Sequence, residues 1–200
     1  HRVDRRQRQM CIRDRLTPGL DYQTAYDDGI VYNIYRNNII CDAAVAYYQQ
    51  GKQVLIIVKK IDHGHAISDL LVATGEFVPH QFIHGSIPTE TRTEALENFK
   101  NGITKVLIAS SILDQGVDIP NINVLIFASG GNSYIRAIQR VGRGLRLHDS
   151  KDRLIVIDFS DRTNKYLAKH SIERFKTYAS EHCFTIDIVD GVGDLIDVHN

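Results

Sequence analysis

Two hundred residues, 43% of them hydrophobic, are enough for one packed core, and no apolar run approaches the roughly 20 residues of a membrane-spanning helix. The three cysteines, Cys11, Cys41 and Cys183, are odd in number and widely spaced, which argues against a disulfide framework or a zinc site and suits a reducing compartment. Lysine plus arginine balance aspartate plus glutamate at 24 each, so the bulk composition gives no support for nucleic-acid binding.

The charge is unevenly placed along the chain. Residues 1–15 carry six arginines against two aspartates, net +4, which leaves net −4 for the rest. They lack apolar periodicity and are expected to be unstructured. One reading is a basic nucleic-acid arm. The reading favoured here is a non-native appendage, because Met10-Cys-Ile-Arg-Asp-Arg15 resembles translated sequencing-adapter read-through. On that reading the native chain continues upstream.

From there the pattern alternates. A helix is expected over 33–50, with Ile34, Ile39, Ala43, Ala46 and Tyr47 inward and Gly51 as its stop. A strand follows at 53–58, then a helix over 63–74 with Ile67, Leu70 and Leu71 inward. A strand at 81–83 precedes a helix over 89–101, with Leu96 and Phe99 at helical spacing and Gly102 after it. Strands at 105–109 and 124–128, a helix at 134–141, a strand at 153–159, a long helix at 163–181 and a strand at 184–189 complete the series. Strands alternating with helices imply an α/β fold with a parallel sheet. One folded domain is expected over 16–189, with 190–200 as a loose tail. His63 and His65, like His80 and His84, are read as loop or surface histidines, and no metal site is expected.

Two stretches carry chemistry. In Gln139-Arg-Val-Gly-Arg-Gly-Leu-Arg146, Arg143 and Arg146 are three apart and share one helix face, and Gln139 lies four residues before Arg143. Two forked guanidiniums on one face suit a phosphate group; taken alone, the pattern equally fits a solvated basic helix end. Upstream lies Val106-Leu-Ile-Ala-Ser-Ser-Ile-Leu-Asp-Gln-Gly-Val-Asp-Ile119. Its apolar start reads as a buried parallel strand. Ser110 and Ser111 follow at the strand's C-terminal end, where open α/β sheets bind ligands. Gly116 permits a close backbone approach and Asp118 supplies a carboxylate; the alternative is a plain turn and a cap. Val54-Leu-Ile-Ile-Val-Lys-Lys60 is an apolar strand ending in lysines, and Gln81-Phe-Ile-His-Gly85 is a short strand ending in His-Gly.

Together these resemble motifs IV, V and VI of the second RecA-like domain of superfamily 2 helicases and translocases. Val54–Val58 matches motif IV, Ser110 to Ile119 motif V, and Gln139 to Arg146 motif VI, across residues 22 to about 189. Ile61-Asp-His-Gly64 and Leu167-Ala-Lys-His-Ser-Ile-Glu-Arg174 look most like phage and repair-type DNA helicases. Motif VI begins with Gln139 where DEAD-box RNA helicases carry His, which tilts the expectation toward DNA.

The resemblance implies a RecA-like three-layer sandwich with a mainly parallel central sheet flanked by helices. It implies ATP as cofactor, Arg143 and Arg146 as arginine fingers, and Gly116, Asp118 and Gln139 at the nucleotide. It implies Ser110, Ser111, Lys59 and Gly85 at a nucleic-acid strand; Ser110 stands where threonine is common. An exposed lysine after a strand explains Lys59 equally well. The sequence holds no GxxxxGK[ST] loop, Gly51-Lys52 being followed by Gln53, and no paired-acid motif. An N-terminal RecA-like domain is therefore the expected partner, holding Mg²⁺ and the phosphates. The expected setting is the cytoplasm of a bacterial or phage-infected cell. This fragment alone is not assigned activity; the complete protein is expected to hydrolyse ATP. An RNA helicase domain, a non-catalytic adaptor binding nucleic acid or a partner, and an unrelated α/β enzyme are the competing readings.

Overall fold

The computed structural model describes residues 4–12, 20–110, 122–131, 153–180 and 184–189. In chain order these form β1 (Asp4–Ile12), α1 (Tyr22–Tyr26) running into a π-helical turn (Asp27–Val31), α2 (Ile34–Gln49), β2 (Val54–Val58) and α3 (Ile61–Ala73). Then come β3 (His80–Ile83), α4 (Thr89–Lys100), β4 (Val106–Ser110), β5 (Val124–Phe127), β6 (Arg153–Asp161), α5 (Lys165–Ala179) and β7 (Phe184–Val189). The strands form one seven-stranded sheet in the order β3-β4-β2-β5-β6-β1-β7. Every described pairing is parallel.

The middle strands are buried on both faces, so they read as unbroken apolar runs and not as alternation. Their side chains still divide by parity. Val54, Ile56 and Val58 join Val106, Ile108, Val124 and Ile126 in one core, covered by Ile40, Ala44 and Tyr47 of α2 and Ile67 and Leu71 of α3. Leu55, Ile57, Leu107, Ala109, Leu125 and Phe127 point the other way, against Ala95 and Phe99 of α4 and Tyr178 of α5. Helices on both faces of a parallel sheet make the three layers expected of a RecA-like domain.

The caps explain where the helices begin. Asp21 accepts from the Gln23 and Thr24 amides ahead of α1, Asn33 from the Arg36 amide ahead of α2, and Asn164 from the Tyr166 amide ahead of α5. Gly51, Gly75 and Gly102 follow α2, α3 and α4 with positive φ, the backbone conformation that ends a helix at little steric cost.

Four expectations differ from the structure. Residues 1–15 are expected without structure, yet Asp4–Ile12 lies between β6 and β7 and pairs with both. That pairing is main-chain hydrogen bonding, which needs no apolar pattern, so hydrophobic periodicity could not reveal it. Ile34 is expected inward but is 68% exposed, because it opens α2 directly after the cap. His63 is expected at the surface but is fully buried, its Nε2 2.9 Å from Asn37 Oδ1. Finally, α1 and the π-helical turn are absent from the expected elements.

Candidate nucleic-acid and nucleotide interface

All the described strands run the same way, so one edge of the sheet gathers their C-terminal ends. Register sets them level. Val58 pairs with Ser110, and Ile83 pairs with Ala109. Three adjacent strands, β3, β4 and β2, therefore present Gly85, Ser110 and Lys59 along one edge. Residues 25 or more apart in sequence become neighbouring positions on a ridge.

Each position has a distinct character. Ser110 is 6% exposed at the last position of β4. Lys59 is exposed, with Nζ 5.4 Å from the centre of the Tyr26 ring, a cation–π distance. Lys60 turns away to pair with Asp27 and lies 5.9 Å from the same ring. Burial works to raise the Asp27 carboxyl, but the bonds from Lys60 and Gln23 outweigh it and hold the pKa below the ordinary carboxylate value. Gly85 faces open space: a Cβ built there meets nothing within 4 Å. The turn holding it is anchored from below. Gly64 of α3 lies flat on Phe82 of β3, where a Cβ would sit 2.1 Å from the ring. His84 and His65 close around the same ring, their centroids 4.8 and 5.1 Å from it.

Beside this ridge the chain leaves β5 through Ala128, Ser129 and Gly130. The Ala128 carbonyl accepts from Arg36 Nη1, the Ser129 carbonyl from the Tyr26 hydroxyl, and the Gly130 carbonyl from Arg174 Nη1, each at 2.6 Å. Arg36 Nε donates to Asp161 Oδ1 at 3.0 Å and Arg174 Nε to Asp158 Oδ2 at 2.8 Å. Tyr178 donates to the same Asp158 oxygen at 3.1 Å. Burial raises the Asp161 pKa, with Arg36 and Arg174 opposing the rise. Burial disfavours the charge on Arg174 too, but Asp158 outweighs it and holds the guanidinium above its ordinary pKa. Neither arginine was legible as buried, since long basic side chains read as surface. The one signal was their company: buried guanidiniums need acids, and Asp158 and Asp161 sit in a strand with the apolar run Leu154–Ile157.

Ser110, Lys59 and Gly85 are thus brought together. Ser111, Gly116, Asp118, Gln139, Arg143 and Arg146 lie outside the described residues. Among the described residues no group of three or more His, Cys, Asp or Glu side chains could hold a metal ion.

The family described as helicase conserved C-terminal domain matches residues 36–148. The chain belongs to that family. It is 31% identical over 162 residues to the ATP-dependent DNA helicase uvsW of Enterobacteria phage T4, covering 73% of this chain and 32% of that protein. To the putative ATP-dependent helicase IRC3 of Saccharomyces cerevisiae it is 28% identical over 139 residues, covering 70% of this chain and 20% of the relative. The crystal structure of T4 UvsW superposes with a TM-score of 0.70 at 24% identity, over 94% of this chain and 42% of that one. Dbp5 of S. cerevisiae bound to RNA and ADP BeF3 superposes with a TM-score of 0.65 at 16% identity, over 98% and 44%. These structural likenesses establish the fold. The chain spans a third or less of the length of these two curated relatives. It is a helicase C-terminal domain of superfamily 2, whose curated relatives include ATP-dependent helicases of DNA and RNA type.

Proposed function

We propose that this helicase C-terminal domain is the second motor domain of an ATP-dependent DNA helicase or translocase. In this reading it grips a strand along the β3-β4-β2 edge and completes an ATP site held mainly by an N-terminal RecA-like domain. The observation that carries it is the level alignment of Gly85, Ser110 and Lys59 at three adjacent strand ends. A hydroxyl, an open backbone turn and an exposed ammonium suit successive phosphates, and phosphate contacts of this kind position a strand without reading its sequence. They also reconcile strand binding with zero net charge, since a few placed donors replace a basic surface.

The nucleotide half follows from the donor set. Two guanidiniums, Arg143 and Arg146, fit the oxygens of a transferring phosphoryl group. With no phosphate-cradling loop or paired-acid motif in the sequence, they can complete a site but not make one. ATP, when bound, supplies the phosphoryl group, and Mg²⁺ belongs to the N-terminal domain. Arg146 is the leading finger and Arg143 supports it. Gln139 links the motif to the partner domain, and Asp118 reaches the ribose or the facing domain past Gly116.

The DNA reading rests on Gln139 at the start of the arginine motif and on the likeness to the ATP-dependent DNA helicase of phage T4. A second reading, RNA, has its own support: the probable ATP-dependent RNA helicase DDX46 of Homo sapiens is 31% identical over 100 residues. The test is equilibrium binding of single strands by the two-domain protein. Ser110→Ala and Lys59→Ala together are expected to weaken single-stranded DNA binding about tenfold, and Lys59→Ala to lower the salt slope by about 0.7. Unchanged affinity and slope remove the strand-gripping edge. Equal or tighter binding of RNA moves the RNA reading to the front.

A further inference from the structure

The three carbonyls leaving β5 are held unusually closely. Turn carbonyls ordinarily meet water. Here each is met by a buried side chain from a different helix, 92, 103 and 44 residues distant in sequence. Arg36 is 0% exposed, and Tyr26 and Arg174 are each 2%.

The way Arg36 is used separates positioning from stabilisation. A buried arginine and carboxylate do best as a two-pronged pair. Arg36 instead gives Asp161 only Nε and turns Nη1 to the Ala128 carbonyl. Arg36 Nη2 and Asp161 Oδ2 make no hydrogen bond, Oδ2 facing Arg174 Nη2 at 3.8 Å as a longer ion pair. Buried ion pairs are weak contributors to net stability even when fully bonded. This one gives up bonding to reach a specific carbonyl. The turn is closed from a further side at Gly130, φ +61°, where a Cβ would meet Ile30 Cδ1 at 2.8 Å and Asp161 Oδ2 at 3.2 Å.

We propose that Tyr26, Arg36 and Arg174 are positioning residues for ATP hydrolysis. They fix the exit of β5 so that the chain beyond it, which carries Gln139, Arg143 and Arg146, starts from one defined position. The proposal rests on the arginine-finger reading given above. A finger displaced by about 1 Å can cost about 10²-fold in rate, so a rigid starting point has catalytic value.

The experiment uses the full-length helicase containing this chain and compares Tyr26→Phe, Arg36→Lys and Arg146→Ala. Tyr26→Phe removes the bond to the Ser129 carbonyl but keeps the ring under Lys59. Readouts are kcat and KM for ATP, affinity for single-stranded DNA, and thermal melting. Tyr26→Phe is expected to lower kcat about 3- to 10-fold and Arg36→Lys up to about 10²-fold, with KM for ATP and DNA affinity within about twofold of the parent. A purely structural role would lower kcat, DNA binding and melting temperature together, and that result overturns the proposal. So does a normal kcat for Tyr26→Phe, the variant that decides if Arg36→Lys fails to fold. An inactive Arg146→Ala beside a normal Tyr26→Phe removes the positioning role alone. Normal turnover by Arg146→Ala removes the fingers and, with them, anything to position.

Discussion

At the scale of single residues, His63 shows how burial becomes a pH dependence. The Asn37 amide donates to the Val31 carbonyl at 2.9 Å, which fixes its oxygen toward His63 Nε2, so Nε2 carries the proton. Burial, helped by the charge of Arg36, pushes the His63 pKa from 6.5 down to about 3. Between those values the unfolded chain binds a proton that the folded chain refuses. The resulting stability is therefore present above about pH 6.5 and is lost as pH falls below it, at up to about 1.4 kcal/mol per pH unit. Urea unfolding at several pH values between about 7 and 5 checks this. The stability advantage of the parent over His63→Gln should shrink steadily as pH falls; parallel curves would show that His63 is not held neutral. Histidine was unreadable here because burial depends on Asn37 and on the turn before α2, neither of which marks itself in a linear pattern.

At the scale of elements, the legible parts were those whose surroundings leave a mark on composition. Strands β2, β4 and β5 are covered on both faces, so Val54–Val58, Val106–Ser110 and Val124–Phe127 read as apolar runs flanked by turns. Strand β1 is the counter-example: Asp4–Ile12 is rich in arginine and glutamine and joins the sheet through its backbone. The packing of α3 on β3 was also hidden, because Gly64 signals nothing until Phe82 is seen lying on it. That contact carries its own prediction. Gly64→Ala should cost about 1–3 kcal/mol in denaturant unfolding, since the ring has to move off the helix. Adding Phe82→Leu should recover part of the loss, and a Gly64→Ala protein of parental stability would contradict the close approach. The same approach holds the turn at Gly85, so the single variant should also weaken strand binding.

At the scale of the whole molecule, parallel order converts scattered motifs into one edge. Lys59, Gly85 and Ser110 could be nominated from their positions after apolar strands, and register alone makes them neighbours. The buried set around Arg36 and Arg174 could not be nominated, because Asp161 lies 125 residues from Arg36 and nothing in a linear pattern marks Arg174, 16 residues from Asp158, as buried. On the proposed reading two jobs then lie side by side: strand contact at the ends of β3, β4 and β2, and the start of the arginine-bearing segment at the end of β5. In that proposal the adjacency couples a change at the nucleotide to the grip on the strand.

The measurement that bears most directly on this account is ATP turnover by the two-domain protein with Arg146→Ala, alongside nucleotide binding by the same variant. The account predicts a fall in kcat of about 10³-fold or more, within the range of arginine fingers, with nucleotide affinity nearly unchanged. Turnover at the parental rate would contradict it, leaving the chain a family member that does not complete the ATP site.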